Sequence, residues 1–347
     1  MTSSGWTEPP SVLLLHHLDP DWPSLDKSAV LAEIEALVTA LRADGLAVEP
    51  RMVETSDLGD ALSGVDPAGV VVLNMCEALP GVPRSEALVT SELDARGFTY
   101  TGSPTGVLEL SWDKTVSKRR LFQAGVSTPE WRTFCTRDVD GWDIFPAIVK
   151  PAREHSSVGL SDGAVVLDRE SLARRVAHVL DDLDQPAIVE QFIDGREFHV
   201  SVWGNGTPRV LPPAEMDFSG LDRCVDRLCT FDAKFTPGSR HWDAINVILP
   251  AELEPEEESE LARLVILAYR ALGCRDYARI DVRQDGDLFM VLDVNPNCDL
   301  SAETTTALAA ELAMGSFAAL LGRIIGLAAA RHAPAAERRP APALLLC

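Results

Sequence analysis

The sequence predicts a mixed α/β and α+β protein of more than one domain, and three observations carry that expectation. A chain of 347 residues exceeds what one small core organises. Apolar runs alternate with helical stretches through the first hundred residues and then mix without strict alternation. Near the end, YARIDVRQDGDLFMVLDVNPNCDL, residues 277–300, alternates like a buried hairpin, yet charged residues interrupt its apolar run.

In chain order, SVLLLHH (11–17) is a short strand, and DKSAVLAEIEALVTALRADG has apolar residues at helical spacing with a stop at Gly45. LAVEPRMVE and GVVVLNMCE (69–77) are further strands, followed by a helix from Ser85 to Arg96, so this part reads as an α/β layer with a parallel sheet. After YTGS (100–103), WDKTVSKRRLFQAG forms one amphipathic helix ending at Gly125, and PEWRTF and FPAIVKP are strands. PAREHSSVGLSDG (151–163) is a small polar loop, GAVVLD a strand, RESLARRVAHVLDDL a helix and AIVEQFIDG (187–195) a buried strand with a glycine exit. REFHVSVWG and TPRVLPPAEM pair around Asn205 and Gly206, and a long irregular stretch runs from Asp217 to Ile248. PEEESELARLVILAYRALG is a helix with an acidic first turn, the hairpin follows, and two helices precede a Pro/Ala-rich tail from Ala333.

Composition narrows the partners. A net charge of −22 repels phosphate backbones and anionic bilayers, so neither nucleic acid nor membrane is expected as partner. The seven cysteines include no CxxC pair and read as reduced thiols, and the N-terminus lacks a basic, signal-like region. The apolar segment SFAALLGRIIGLAAA is too short to span a bilayer and is broken by Arg323, so a cytoplasmic protein is expected.

Arg279 and Asp281 share a face of the first hairpin strand, and Asp293 and Asn295 a face of the second, because strand side chains alternate. A two-residue turn at Asp285 and Gly286 would turn the two faces apart. A three-residue loop with Gly286 in the left-handed region brings all four groups together and is the expected form. Two carboxylates and an amide oxygen so placed suit Mg²⁺ completed by phosphates and water. A salt-bridged face, with Arg279 and Arg283 neutralising the aspartates, fits the same residues.

Lys150 ends a buried strand before a loop holding Ser156, Ser157 and Gly159, an arrangement that can surround phosphate oxygens or be an ordinary surface turn. In AIVEQFIDGREF, Glu190 with Phe192 and Ile193 suits an adenine edge and Glu197 a ribose hydroxyl, although read alone these residues favour an interdomain hinge.

The ordered set YTGS, WDK, IVKP, REHSSVG, VEQFI, EFHV, DAKF, ARIDV and LDVNPN, across roughly residues 70 to 325, resembles the D-alanine:D-alanine ligase branch of the ATP-grasp superfamily. The resemblance implies a three-domain ATP-grasp fold with nucleotide held between the central and C-terminal domains. The N-terminal α/β domain would be 1–103, the central subdomain 104–193, the C-terminal subdomain 194–331 and the tail 332–347. It further implies ATP bound by Lys114, Lys150, Ser156 and Ser157, adenine taken by Glu190, Phe192 and Ile193, ribose by Glu197 and phosphates by Lys234. Mg²⁺, with Mn²⁺ as the alternative ion, would sit on Asp281, Asp293 and Asn295, and Arg279, Lys234 and Ser156 would act in catalysis. A homodimer is the family's common state.

The sequence departs from the family where substrates bind. No Gly-rich signature with its Glu follows the first strand, the third strand ends NMCE, and His155, Phe235, Cys298 and Asp299 replace the usual Gly, Tyr, Pro and Gly. Asp299, Glu77 or Glu86 would meet a substrate amine, or be a solvated loop Asp or ordinary helix-face Glu. Thr304 or Thr305 would bind a carboxylate at a helix start or cap that helix, and Phe235 falls in the segment of the family's lid. The reading is an ATP-dependent carboxylate–amine ligase working through an acyl phosphate in specialised metabolism, with small-molecule acid and amine substrates. The alternatives are an ATP-grasp enzyme forming an imine by carbonyl or enol phosphorylation, and a nucleotide-binding regulatory protein without turnover.

Overall fold

The computed structural model describes residues 11–154, 160, 163–230, 232–233 and 236–332. The chain divides into two compact units, one running to Gly102 and resuming at Ser316, the other Ser103–Gly315.

The first unit is built on β1 (Ser11–His17), α1 (Ser24–Ala43), β2 (Val48–Val53), α2 (Leu58–Ala61), β3 (Val70–Met75), α3 (Glu86–Ala95) and β4 (Thr99–Tyr100). Its sheet is parallel, in the order β2-β1-β3-β4. Val12 to Leu15 and Val71 to Leu73 are all buried, the continuous apolar pattern of strands covered on both faces.

The second unit opens with α4 (Thr105–Trp112) and α5 (Lys114–Gln123). The helix expected over 112–125 is α5, which starts at Lys114 because Asp113 adopts an extended conformation and accepts hydrogen bonds from the amides of Thr115 (3.0 Å) and Val116 (3.2 Å). Helix α4 before it adds to the expected elements. Then come β5 (Trp131–Phe134), β6 (Ala147–Pro151), β7 (Val165–Val166), α6 (Arg169–Asp182) and β8 (Ala187–Gln191), whose antiparallel sheet runs β5-β8-β6-β7. Helix α6 starts on a capping box between Asp168 and Ser171 and buries Leu172, Val176 and Val179 against this sheet.

A larger sheet follows, built from β9 (Glu197–Trp203), β10 (Arg209–Val210), β11 (Ala214–Asp217), β12 (Asn246–Ile248), β13 (Tyr277–Asp285) and β14 (Leu288–Asn295). The order is β12-β11-β9-β13-β14, with β10 beside β9. The stretch expected to be irregular, 217–248, contains a 3₁₀ turn at Cys224–Asp226, the short helix α7 (Arg240–Ala244) and β12. Helix α8 (Pro255–Leu272) begins with Pro at its first turn beside Glu256, Glu257 and Glu258, and ends at Gly273 with φ of 80°. Its Leu261, Leu264, Val265 and Leu272 pack with Phe198, Val200, Ile280, Val282, Val291 and Val294. That core covers one face of the sheet and, through strand alternation, turns the polar residues between these positions to the other face.

Helix α9 (Thr305–Met314) closes the second unit, and α10 (Phe317–Ala329) returns the chain to the first, where Ala328 and Ala329 pack on Val71 of β3. No single helix among the described residues is long and apolar enough to cross a membrane.

Candidate active site

The hairpin brings its four charged or amide groups together by a different route from the expected one. Asp285 pairs with Leu288, so the loop is two residues, Gly286 and Asp287, and Gly286 takes the left-handed conformation with φ of 57°. Pairing from this turn alone would set Asp293 on the core face with Phe289 and Val291. A β-bulge between Asp281 and Val282 leaves Leu292 as the extra residue and shifts the register, so that Asp281 faces Asp293 and Arg279 faces Asn295. The bulge, rather than a longer loop, restores the phase.

On the same face, β9 contributes Glu197, His199 and Ser201, opposite Arg283, Asp281 and Arg279 respectively. The Arg279 guanidinium donates two hydrogen bonds to Asp281, Nε to Oδ1 at 2.7 Å and Nη2 to Oδ2 at 3.1 Å, and Asn295 Nδ2 donates to Asp281 Oδ2 at 3.1 Å. Burial opposes the Arg279 charge, yet Asp281 outweighs it and raises the guanidinium pKa further. Lys114, from the start of α5, pairs with Asp293; burial disfavours its charge, and Asp293 reverses the shift and raises the ammonium pKa.

The smaller sheet supplies a second cluster. Glu190 on β8 is 1% exposed, and its Oε2 accepts from Lys118 Nζ at 3.1 Å and Lys150 Nζ at 3.3 Å. Burial works against the carboxylate, but the two ammonium groups hold its pKa below the usual glutamate range. For Lys118, burial prevails and lowers the pKa. Lys118 also donates to Thr128 Oγ1 at 2.6 Å and to the Val291 carbonyl at 3.2 Å, joining Glu190 to the hairpin.

Glu197 lies further along the site face. Its Oε2 accepts from Arg283 Nε at 2.7 Å, and Oε1 is 3.5 Å from His199 Nε2. Burial opposes its ionisation, and Arg283 followed by His199 drives its pKa far below the normal range. Arg283, 2% exposed, also donates to the Ile193 carbonyl at 2.5 Å and to the Arg227 carbonyl, with its guanidinium 4.8 Å from the Phe192 ring centre and 5.2 Å from that of Phe218. Arg279 thus neutralises an aspartate as the salt-bridge alternative expected, whereas Arg283 serves Glu197.

Several residues singled out in the sequence have local tasks. Asp299 is exposed and accepts from Ser301, amide at 2.7 Å and hydroxyl at 3.0 Å. Thr304 is the N-cap of α9, accepting from the Ala307 amide at 3.2 Å while its hydroxyl donates to the Ser301 carbonyl at 2.8 Å. In the first unit Glu77 is exposed just after β3, and Glu86 opens α3. Phe192 and Ile193 are buried at the exit of β8. Ser156, Ser157, His155, Lys234 and Phe235 lie outside the described residues.

Sequence reasoning passed over Lys118, His199 and the partner of Arg283. Lys118 follows Lys114 by one helical turn and therefore shares its face, a signal the sequence does contain. His199 sits two residues from Glu197 on one strand face, which the EFHV pattern also encodes.

The profile of the D-ala D-ala ligase C-terminus matches residues 123–326. The chain belongs to the D-Ala-D-Ala ligase-like family of ATP-grasp enzymes. Among its relatives, a protein of Sinorhizobium fredii named "Uncharacterized protein y4sG" is 33% identical over 76% of this chain and 75% of its own length. A D-alanine–D-alanine ligase of Marinomonas is 30% identical over 82% of this chain and 87% of its own. A crystal structure of the Bacillus anthracis D-alanine–D-alanine ligase complexed with ATP superimposes with a TM-score of 0.70 at 19% identity, covering 93% of this chain and 98% of that one, and so shares the fold. The family's reaction class is ATP-dependent, ADP-forming carbon–nitrogen ligation, and this ATP-grasp chain is a ligase of that type.

A divalent ion of the Mg²⁺ kind suits the donors on the hairpin face. Asp281 and Asp293 are cross-strand partners, and Asn295 uses Nδ2 in hydrogen bonds to Asp281 and to the Arg279 carbonyl, so its remaining side-chain donor atom is a hard oxygen. No cysteine or histidine belongs to that set.

Proposed function

We propose that this enzyme joins a small-molecule carboxylate to an amine by transferring the γ-phosphoryl group of ATP to the carboxylate, and that its product is not D-alanyl-D-alanine. The observation that supports the reading best is the convergence of Asp281, Asp293, Asn295, Arg279 and Lys114 on one face, linked through Lys118 to Lys150 and Glu190.

In this reading Lys114 and Lys150 hold phosphate oxygens, and Asp281, Asp293 and Asn295 would hold Mg²⁺, which would supply positive charge against the phosphates. Glu190 presents an additional handle: its Oε1 is buried with no hydrogen-bond partner among the described residues. A buried unmet acceptor costs about 1–3 kcal/mol, and a ligand donor such as the adenine amino group would recover that. Glu197, kept ionised by Arg283, accepts a ribose hydroxyl. After phosphoryl transfer the amine attacks the acyl phosphate, and Arg279 donates to the oxyanion of the tetrahedral intermediate. Lys234 and Ser156 complete the phosphate contacts in the same scheme.

No cysteine is needed as nucleophile. Burial pushes the Cys298 thiol up to about 11, so it stays protonated at neutral pH. The departures at Asp299, at NMCE and after β1 support an acid and amine other than D-alanine, in a specialised pathway.

The test is ADP release measured against pooled acids and amines with Mg²⁺, followed by mass spectrometry of the products. The expected result is release that requires both an acid and an amine, with an amide product. An imine product, or D-alanyl-D-alanine as the preferred product, overturns the corresponding part of the proposal.

A further inference from the structure

Beside Glu197 the site face carries a histidine and a cysteine to which the proposed ligase chemistry gives no role. Glu197 Oε1, His199 Nε2 and Cys229 Sγ all lie within 4.8 Å of one another, with Nε2 and Oε1 3.5 Å apart. Ligands of a tetrahedral Zn²⁺ stand about 3.3 to 3.8 Å apart, as its bond lengths of about 2.0 to 2.3 Å dictate. The oxygen–nitrogen edge already has that length, and the sulfur lies within 4.8 Å of both atoms. Arg283 holds Oε2 of Glu197, which fixes the carboxylate and leaves Oε1 toward the histidine. Asp281 Oδ1 is 4.0 Å from the same Nε2, a carboxylate oxygen on the border of the hard-ion set.

We propose that Glu197, His199 and Cys229 bind a thiophilic divalent cation of the Zn²⁺ class, and that the bound cation excludes the nucleotide. Thiolate and imidazole favour Zn²⁺ or Co²⁺ over Mg²⁺, so this site and the hard-oxygen site on Asp281, Asp293 and Asn295 select different ions. Binding forms a metal–sulfur bond and releases the Cys229 thiol proton to solvent. The exclusion rests on the assignment of Glu197 to the ribose: an Oε1 ligated to metal no longer accepts a sugar hydroxyl. ATP and the soft cation then compete for one carboxylate.

The experiment uses the full chain and Co²⁺ as a spectroscopic probe, without nucleotide. One equivalent should produce a thiolate-to-cobalt charge-transfer band and tetrahedral d–d bands. Cys229→Ser should abolish the charge-transfer band, and His199→Gln should weaken Co²⁺ binding at least about tenfold. Cys135→Ser, at an exposed cysteine remote from this set, should change neither. Circular dichroism confirms that the variants are folded. Absence of the band, or its persistence in folded Cys229→Ser, overturns the site. Added Mg·ATP should displace Co²⁺ and bleach the band; a band that persists while equilibrium dialysis shows ATP bound overturns the exclusion and the ribose role of Glu197 together, and leaves the metal site standing.

Discussion

Glu190 is the residue whose surroundings say most about this site. A carboxylate 1% exposed is tolerated only because Lys118 and Lys150 converge on one of its oxygens. Because its folded pKa lies below the ordinary value of 4.5, the stabilisation it contributes is fully present above that value and is lost as pH falls through the folded pKa. Lys118→Met removes one partner and leaves the charge buried. We expect a loss of about 3 kcal/mol, the low end for breaking a buried pair because Lys150 remains. The acid-unfolding midpoint should also move to higher pH. Urea unfolding across pH 3 to 8 (roughly the window in which carboxylates titrate) checks both, and an unchanged acid limb in the variant contradicts the pairing.

At the scale of elements, the hinge between β8 and β9 and the β13–β14 hairpin set the geometry. Gly195 lies in that hinge, and a Cβ there would stand 1.8 Å from the backbone carbonyl oxygen of Gln284 on β13. A backbone atom cannot swing aside as a side chain does, so Gly195→Ala must push the hinge off the sheet. The expected cost is about 1–3 kcal/mol of stability. This connection carries Phe192 and Ile193 and leads into Glu197 at the start of β9, the residues proposed to meet the nucleoside, so the KM for ATP should rise as well. Denaturant unfolding with steady-state ADP release measures both, and a variant with wild-type values of each contradicts this role of the hinge.

The hairpin also shows what was legible in the sequence. Period-two alternation is a local signal, and it placed Arg279 with Asp281 and Asp293 with Asn295 before any fold was known. The mutual phase of the strands depends on Leu292, a bulge whose apolar side chain looks like any other strand residue, so the convergence was read correctly and its cause was not. The WDK stretch reads as a helix from its apolar spacing, and the capping side chain of Asp113 fixes its start at Lys114. Helix periodicity places Lys118 on the face of Lys114 but does not reach its carboxylate partner on β8, far along the chain. The N-cap role that Thr304 takes with the Ala307 amide is one the sequence offered, whereas the bonds from Ser301 to Asp299 depend on a turn that chain order does not reveal.

At the scale of the whole molecule, the second unit alone contains both clusters, one on each sheet, joined by Lys118 and by the pair of Lys114 with Asp293. Against a net charge of −22, Lys114, Lys118, Lys150 and Arg279 gather beside Glu190, Asp281 and Asp293, and in the proposed reading this cluster of cations meets the triphosphate. Asp299, one of the described residues that depart from the family, is exposed and engaged by Ser301 rather than by these cations. The central claim is that a substrate carboxylate is phosphorylated before the amine attacks. Turnover with the acid labelled by ¹⁸O in its carboxylate tests this directly, with the label followed into inorganic phosphate by mass spectrometry. The account predicts one labelled oxygen in the phosphate released per amide formed; unlabelled phosphate accompanying amide formation would contradict it.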